Sequence, residues 1–210
     1  ITASGTANAL TKGTATYAYA YAYVTAVYQE AEGDTASLTV TNLGDISATA
    51  EANANDGSYE AYAWASATGI YQYADADGAN TADIYNDGTI IAKASADAEG
   101  EVYSAAVAYA SAITQEGYGQ SADLTVTNHG DVTAMATATA DPNYQAYAYA
   151  AASGIDQEAY SGGANTGDIY NDGSVTATAL ANAEAIDDAS AYASAFAYAT
   201  GIEQEGGGDS

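Results

Sequence analysis

The sequence predicts an all-β protein, a parallel β-solenoid of about five coils of about 43 residues with a thin, alanine-lined interior. The first reason is a recurring Asn-x-Gly motif, whose asparagines are Asn42, Asn86, Asn128 and Asn171. The second reason is a glutamine that recurs with similar spacing, at Gln29, Gln72, Gln115, Gln157 and Gln204. Between these motifs the side chains alternate with a period of two, which is the period of a β-strand.

The repeats extend over the whole chain, which is predicted to be a single solenoid domain. They span approximately residues 1–33, 34–77, 78–119, 120–162 and 163–210. Each repeat is predicted to contain three extended segments, the first of which is short and ends in the Asn-x-Gly turn. Residues 38–42 return as 124–128, so alternate repeats differ in kind, which indicates duplication of a two-repeat unit.

The second segment of each repeat keeps one parity of positions apolar and varies the other. In one repeat the apolar parity is Ile46, Ala48, Ala50, Ala52 and Ala54, and the later repeats follow the same pattern. The intervening positions are polar and differ from repeat to repeat. A parity that stays apolar while its neighbours change is expected to face the interior.

The third segment alternates alanine with tyrosine, as in residues 17–23. We expect alanine to face inward, because the alanine positions recur between repeats whereas the tyrosine positions shift. The opposite orientation, with tyrosine inward, is the open alternative. The segment ends in motifs such as Thr68-Gly69-Ile70, where a glycine-marked bulge would turn Ile70 and Gln72 inward. The interior is therefore predicted to be thin between the alanine faces and thicker at this end.

Stacking of the repeats predicts two amide ladders. Parallel, in-register coils place equivalent residues about 4.8 Å apart along the axis. The turn asparagines and the recurring glutamines then lie beside their equivalents, where each amide satisfies the next. A ladder of backbone hydrogen bonds tolerates little proline, and the chain has one.

The composition by itself is typical of a disordered chain. Leu, Ile, Val and Phe total 25 of 210 residues, and 28 acidic residues against 2 basic ones give a net charge of -26. Two cations cannot neutralise a run of phosphates, so we expect no nucleic-acid partner. No apolar run reaches about 18 residues, so we expect no membrane insertion.

Catalytic chemistry is not expected, and we predict that the chain is not an enzyme. Its one histidine, His129, occupies a variable position of the Asn-x-Gly turn, where another repeat has Leu43. Acidic residues are abundant, which removes the specificity of any carboxylate pair. No cofactor is predicted to be required, and calcium is the open alternative. Its candidate ligands are Asp75, Asp77 and Asp83, which supply hard oxygen atoms around Gly78.

The tyrosine-rich face is the most unusual feature of the sequence. If it points outward, it forms an exposed aromatic strip of a size that marks an interaction surface. Its candidate residues are Tyr19, Tyr21, Tyr62, Trp64, Tyr109, Tyr147, Tyr149, Tyr192 and Tyr198. Aromatic rings suit lateral protein contacts and the faces of sugars. Stacked tyrosines can also stiffen the sheet through cross-strand pairs, which is compatible with an interaction role.

The pattern Asn-x-Gly-(Thr/Asp)-Ile, followed by alternating Ala/Thr and then by Ala-x-Gly-Ile, resembles the repeat regions of large bacterial cell-surface β-solenoids. These proteins are autotransporter passengers, haemagglutinin-like adhesins and related exported fibre proteins. The resemblance covers the whole chain. It implies an extracellular or cell-surface location and a β-solenoid fold.

From the repeats and the resemblance we expect a structural protein whose main partner is itself. Neither end of the sequence has an evident polar cap, so exposed strand edges would pair by head-to-tail stacking into a filament. The shaft of a longer surface fibre is the related expectation, because a first residue of Ile1 indicates processing or the ordered part of a longer protein. The alternative function is an adhesin-type binding module that uses the exposed tyrosine-rich face for glycans or host surfaces.

Overall fold

The computed structural model describes residues 1–10, 17–185 and 191–208. Every regular element in these ranges is a β-strand, and we number the ten strands in chain order. They are β1 (Thr2–Leu10), β2 (Tyr17–Gly33), β3 (Ala36–Asn42), β4 (Asp45–Asn86), β5 (Thr89–Asn128), β6 (Asp131–Pro142), β7 (Gln145–Ser161), β8 (Asn165–Asn171), β9 (Ser174–Ala183) and β10 (Tyr192–Gly208). The protein is therefore all-β.

All ten strands belong to one sheet, and every pairing in it is parallel. Strand β4 pairs in succession with β1, β2 and β3, and it also pairs with β5. Strand β5 pairs in the same way with β6, β7 and β8. One long strand can pair in parallel with three successive segments of its own chain only if the backbone winds around an axis. The fold is therefore β-helix-like, and we refer to one circuit of the backbone as a coil.

Pairing is in register, so each residue lies beside a similar residue of the next coil. Thr2 pairs with Ser47, and Ala18 pairs with Ala61. The hydrogen-bonded amide side chains that stack along the axis are 42 to 47 residues apart in sequence. The stacked positions of the sheet therefore form columns along the axis, and each column has its own side-chain chemistry.

Alanine side chains line the interior. Along β3 every second residue is buried, and the alanine parity of β6 and β7 is buried in the same way. In β4 the fully buried alanines include Ala48, Ala50, Ala52, Ala54, Ala61 and Ala65. The tyrosines of the third segment lie on the opposite parity, and four of them in β2 are at least half exposed. The alternative orientation, with tyrosine inward, is therefore wrong for the described residues.

The inward parity switches where the third segment bends. Gly69 and Ile70 are both buried although they are adjacent, and Gln72 continues the inward side. The same switch occurs at Ile113 and Ile155, which are fully buried. The largest buried side chains are those at this end of the interior, namely Ile70, Ile84, Ile90, Ile113, Leu124 and Ile155. Small methyl groups thus set the separation of the walls at one end, and branched side chains set a larger separation at the other.

The Asn-x-Gly turns need glycine because adjacent coils approach closely there. A Cβ atom on Gly88 would collide with the carbonyl oxygen of Gly44 in the preceding coil, and one on Gly130 would collide with that of Gly88. The next coil repeats this contact at Gly173. Glycine recurs at these turns because stacking leaves no room for a side chain.

A pair of substitutions at neighbouring residues tests the alanine interior. Ala94 is buried on the inward parity of β5, whereas Ser95 is exposed on the outward parity. Ala94→Leu forces extra methyl groups between closely spaced walls and should lower the free energy of unfolding by about 1–3 kcal/mol or more. Ser95→Leu should change it by about 0.5 kcal/mol or less. Urea denaturation followed by circular dichroism measures both, and equal effects would contradict the inward assignment.

Candidate functional site: amide ladders and an aromatic outer face

A glutamine ladder runs through the interior. Gln72 Nε2 donates a hydrogen bond to Gln29 Oε1 at 2.8 Å, and Gln115 Nε2 donates to Gln72 Oε1 at 2.8 Å. The ladder continues from Gln157 to Gln115 at 2.9 Å and from Gln204 to Gln157 at 2.6 Å. Gln72, Gln115 and Gln157 are almost fully buried. The ladder lies between two apolar clusters, which contain Ile84 and Leu124 respectively.

The glutamine amides also hold the first and third segments together. Gln115 Nε2 donates to the carbonyl oxygens of Ala82, at 3.0 Å, and Thr125, at 3.3 Å. Gln29 Nε2 donates in the same way to the carbonyl oxygen of Thr39 at 3.1 Å. Gln29, Gln72 and Gln115 therefore reach across the interior to the short first segment and satisfy backbone acceptors there. The ladder links the coils along the axis, and at these three glutamines it also links two walls.

An asparagine ladder stacks the Asn-x-Gly turns. Asn42 Nδ2 donates to Asn86 Oδ1 at 2.7 Å, and the pattern repeats from Asn86 to Asn128 and from Asn128 to Asn171, each at 2.6 Å. Asn42 Nδ2 also donates to the carbonyl oxygen of Gly44 at 2.9 Å, which closes the turn. The asparagines donate toward later coils, whereas the glutamines donate toward earlier ones. The two ladders therefore run in opposite directions, and their side-chain dipoles partly cancel along the axis.

The predicted aromatic residues all lie on the outward parity. Tyr19, Tyr21, Tyr192 and Tyr198 are at least half exposed. The other five are half-buried because neighbouring rings cover them, and they are Tyr62, Trp64, Tyr109, Tyr147 and Tyr149. The structure brings most of them into contact but not as one straight column.

Rings of successive coils alternate between two neighbouring columns. The centroid of Trp64 lies 5.3 Å from that of Tyr109, which lies 5.4 Å from Tyr149, which lies 5.6 Å from Tyr198. In the register, however, Tyr109 pairs with Ala151 rather than with Tyr149. Each ring therefore packs diagonally on the next. Pairs at these distances contribute roughly 0.5–1.5 kcal/mol each beyond the burial of area.

Other rings stack directly on one another, and some tyrosine hydroxyl groups donate hydrogen bonds to carboxylates. Tyr19 and Tyr62 stack with centroids 4.9 Å apart and planes 11° apart. Tyr62 Oη donates to a Glu60 carboxylate oxygen at 2.8 Å, and burial together with this hydrogen bond raises the pKa of Tyr62. Tyr160 Oη donates to Glu205 at 2.9 Å, and this bond raises the pKa of Tyr160 to about 12. These hydroxyls are neutral donors throughout the physiological range.

Two neighbouring columns of carboxylates are crowded. Asp156 pairs in register with Glu203 of the next coil, and Glu158 pairs with Glu205. Burial, followed by the charge of Glu203, raises the pKa of Asp156. Burial and the charge of Asp156 raise the pKa of Glu158. In-register stacking thus places like charges beside one another, and the native state resists their ionisation.

The remaining residues considered from the sequence are the three candidate calcium ligands and the histidine. Asp75, Asp77 and Asp83 are exposed on the outer surface. Within the described ranges, no group of three or more His, Cys, Asp or Glu residues could hold a metal ion. A calcium site at these aspartates stays a prediction of the sequence. His129 is exposed, contacts an Asp172 carboxylate oxygen through Nδ1, and packs edge-on between neighbouring tyrosine rings.

No protein-family model matches the chain, and no curated protein or solved structure matches it either. In the part of the chain that the structure describes, no helix is long and apolar enough to cross a membrane. The functional argument therefore depends on the geometry of this molecule.

Removal of one central amide tests the glutamine ladder. Gln115→Ala leaves the buried Nε2 of Gln157 without its acceptor and the buried Oε1 of Gln72 without its donor. Each unsatisfied buried group costs about 1–3 kcal/mol, so the free energy of unfolding should fall by about 2–6 kcal/mol. Gln120→Ala, at an exposed glutamine, is the matched control and should have little effect. A small loss in Gln115→Ala, measured by urea denaturation, would show that the ladder does not stabilise the fold.

The crowded carboxylates predict that acid stabilises the protein. Because folding raises the pKa of Asp156 above 3.8 and that of Glu158 above 4.5, the native state binds more protons than the unfolded state. Stability should then fall as the pH rises through that range and rise as the pH is lowered toward it. Asp156→Asn should flatten this dependence of the melting temperature between pH 7 and about pH 4.5. Glu51→Gln removes one exposed charge elsewhere and should leave the slope close to that of the parent chain.

Proposed function

We propose that the chain is a non-catalytic structural protein, an acidic β-solenoid of about five coils with a period of about 43 residues. It works outside the cell or on its surface, as a unit of a filament or of a fibre shaft. The single observation that carries the proposal is that the terminal strands at both ends of the β-helix pair on one side only. Within the described residues, β1 and β2 pair only with β4, β9 pairs only with β6, and β10 pairs only with β7.

The C-terminal end presents an apolar surface as well as a strand edge. The inward alanines of β10 are exposed, whereas the same column in β7 is buried. They are Ala193, Ala195, Ala197 and Ala199. Ile202 is 45% exposed, whereas its equivalent Ile155 is fully buried. An uncovered edge and uncovered interior side chains are an unstable combination in water, and one more coil would cover both.

The two ends are complementary in their polar groups. Gln204 donates to Gln157, which leaves Oε1 of Gln204 as the acceptor at the end of its ladder. Gln29 stands at the other end, and one of the two hydrogens of its Nε2 donates to Thr39. Gln29 Nε2 of a following coil therefore fits Gln204 Oε1 of the preceding one. Stacking in this register would place β1 and β2 of the following unit against β9 and β10 of the preceding unit.

The negative surface sets the conditions for such stacking. Among the described residues Lys93 is the only lysine or arginine, so units with a net charge of -26 repel one another at low ionic strength. Salt screens charges separated by more than about 8–10 Å but weakens hydrogen bonds and apolar contacts much less. Assembly should therefore be promoted by salt.

A second candidate function is binding of glycans by the aromatic outer face, in the manner of an adhesin. The specific observation that favours it is the extent of exposed ring surface on the outward parity. Rings at Tyr192 and Tyr198 are more than half exposed, and Phe196 between them is 43% exposed. An exposed aromatic surface of this kind is a typical contact for sugar rings and for other proteins.

A charge on the open end tests the structural proposal. Ala195→Lys places a charged side chain in the axial contact, but at a position that is already exposed in the single chain. We expect this variant to fold and to remain monomeric where the parent chain forms end-to-end filaments at high salt. Electron microscopy and analytical ultracentrifugation measure the difference.

The control for this experiment is Thr178→Lys, which adds the same charge at an exposed outward position of β9. It should assemble as the parent chain does. Compact monomers of the parent chain at high concentration and high salt would refute axial stacking, and so would undiminished filaments of Ala195→Lys.

A further inference from the structure

Two tyrosine rings lie directly against each other on the outer surface, just after the bend of the third segment. Tyr28 of β2 and Tyr71 of β4 are in register, one coil apart. Their ring centroids are 5.4 Å apart and their planes differ by 7°, which is the most parallel arrangement among the described ring pairs that join successive coils. The two phenol groups are therefore held side by side along the axis.

This pair is accessible and is separate from the longer aromatic columns. Tyr28 is 57% exposed, and Tyr71 is half-buried. The later residues of the same column are Thr114, Asp156 and Glu203. Within its column each ring therefore has only the other as an aromatic neighbour, and a reagent in solution can reach the pair.

Each hydroxyl group of the pair has a carboxylate as its partner. Tyr28 Oη donates to a Glu30 carboxylate oxygen at 2.7 Å, and this bond raises the pKa of Tyr28. Burial, followed by a hydrogen bond to Glu116, raises the pKa of Tyr71. Both phenols therefore stay protonated in neutral solution, and a base is in place to accept the proton when an electron is removed from either ring.

Two other tyrosine pairs are in register among the described residues, and neither combines these features. Tyr19 stacks on Tyr62 at 4.9 Å, but it also packs on rings of its own strand on both sides. Tyr118 and Tyr160 are both half-buried, and their planes differ by 23°. Parallel rings, exposure and two carboxylate partners occur together only in the pair after the first bend.

We propose that Tyr28 and Tyr71 are an oxidative cross-linking site, at which a one-electron oxidant of the peroxidase class joins the two rings as dityrosine. The oxidant removes one electron from each phenol, and each hydroxyl proton passes to its carboxylate. The two phenoxyl radicals combine through a bond between their ortho carbons, and the two ortho hydrogens then move as protons to the phenolic oxygens. Hydrogen peroxide takes up the two electrons and two protons and becomes two molecules of water.

The rings have to tilt before their ortho carbons can join, and the surroundings allow this. Exposed side chains change rotamer in picoseconds to nanoseconds, and Tyr28 is such a side chain. Thr114, the next residue of the column, is smaller than tyrosine and leaves space beside the Tyr71 ring. The backbones of the two strands, about 4.8 Å apart, need not move.

The cross-link would join the first coil to the second. Within the described residues β2 pairs only with β4, so the first coil is held on one side and is expected to open before the inner coils. A bond between Tyr28 and Tyr71 closes a covalent loop of one coil and opposes this opening, in the way a disulfide does in other proteins. The chain has no cysteine that could supply a disulfide. The inference does not depend on axial stacking.

Treatment of the dilute full chain with a haem peroxidase and hydrogen peroxide tests the proposal. Low salt keeps the acidic units apart, so that coupling occurs within one chain. We expect dityrosine fluorescence, a monomer lighter by two hydrogen atoms, and a digest in which the peptides of Tyr28 and Tyr71 are joined. Absence of dityrosine would overturn the site, and so would coupling of other tyrosines in place of this pair.

Three variants locate the reaction. Tyr28→Phe and Tyr71→Phe each keep the ring but remove one hydroxyl, and each should abolish the cross-link. Tyr144→Phe, at an exposed tyrosine that stacks on no described ring, is the matched control and should give the yield of the parent chain. Circular dichroism shows that the variants fold, and an unchanged yield in a folded Tyr28→Phe would refute the assignment.

Amide hydrogen exchange tests the effect of the cross-link on the first coil. Exchange in β2 should be slower in the oxidised chain than in the untreated chain, whereas Tyr28→Phe treated in the same way should show no such change. Equal exchange before and after cross-linking would overturn the stabilising role. The non-stacking Ala195→Lys chain should cross-link as the parent chain does, which separates failure of this site from failure of axial stacking.

Discussion

In-register parallel stacking means that almost every side chain has a neighbour from the equivalent position of the next coil, about 4.8 Å away. Residues that are compatible with a copy of themselves can fill such a column. Alanine packs on alanine, amides hydrogen-bond to amides in both ladders, and aromatic rings stack. Two stacked carboxylates repel each other, and the chain has 28 acidic residues, so this repulsion can arise in many columns. Most acidic residues escape it by pointing into water, but Asp156 and Glu158 are partly buried and lie beside Glu203 and Glu205 of the next coil.

The composition rule for disorder fails here because it assumes a core of large aliphatic side chains. Alanine contributes little buried area per residue, but it also loses almost no side-chain entropy on folding. Parallel backbone hydrogen bonds join successive coils within each wall, and glutamine amides cross the interior at Gln29, Gln72 and Gln115. A thin interior is therefore stabilised by regularity, and its weakness is any position at which the repeat is interrupted.

The sequence was sufficient to predict the features that depend on a short period or on an identical repeat. Alternation in steps of two assigned the alanine face, and the glycine before Ile70 correctly indicated the switch in parity. The three aspartates named as candidate calcium ligands are exposed on the outer surface, and calcium binding there stays a prediction. Asp75 and Asp77 point the same way and lie about 7 Å apart along the strand, which the alternation in steps of two already implies. The diagonal packing of Tyr109 on Tyr149 could not be predicted, since it depends on the register of neighbouring coils.

The tyrosine positions that seemed to shift between repeats follow a rule that only the register makes visible. Tilted rings need slightly more room than the spacing of the coils, and diagonal packing supplies it by moving every second ring to the adjacent column. A two-coil alternation of ring positions is the consequence, in keeping with the two-repeat unit of the sequence. Each displaced ring leaves a small residue behind it, as at Ser66, Val107 and Ala151. The ring of Tyr149, for example, packs on both Tyr109 and Tyr198, although Ala151 is the residue in register with those two tyrosines. The alternation therefore lets tilted rings pack from coil to coil along the aromatic face while the strands that carry them stay in register.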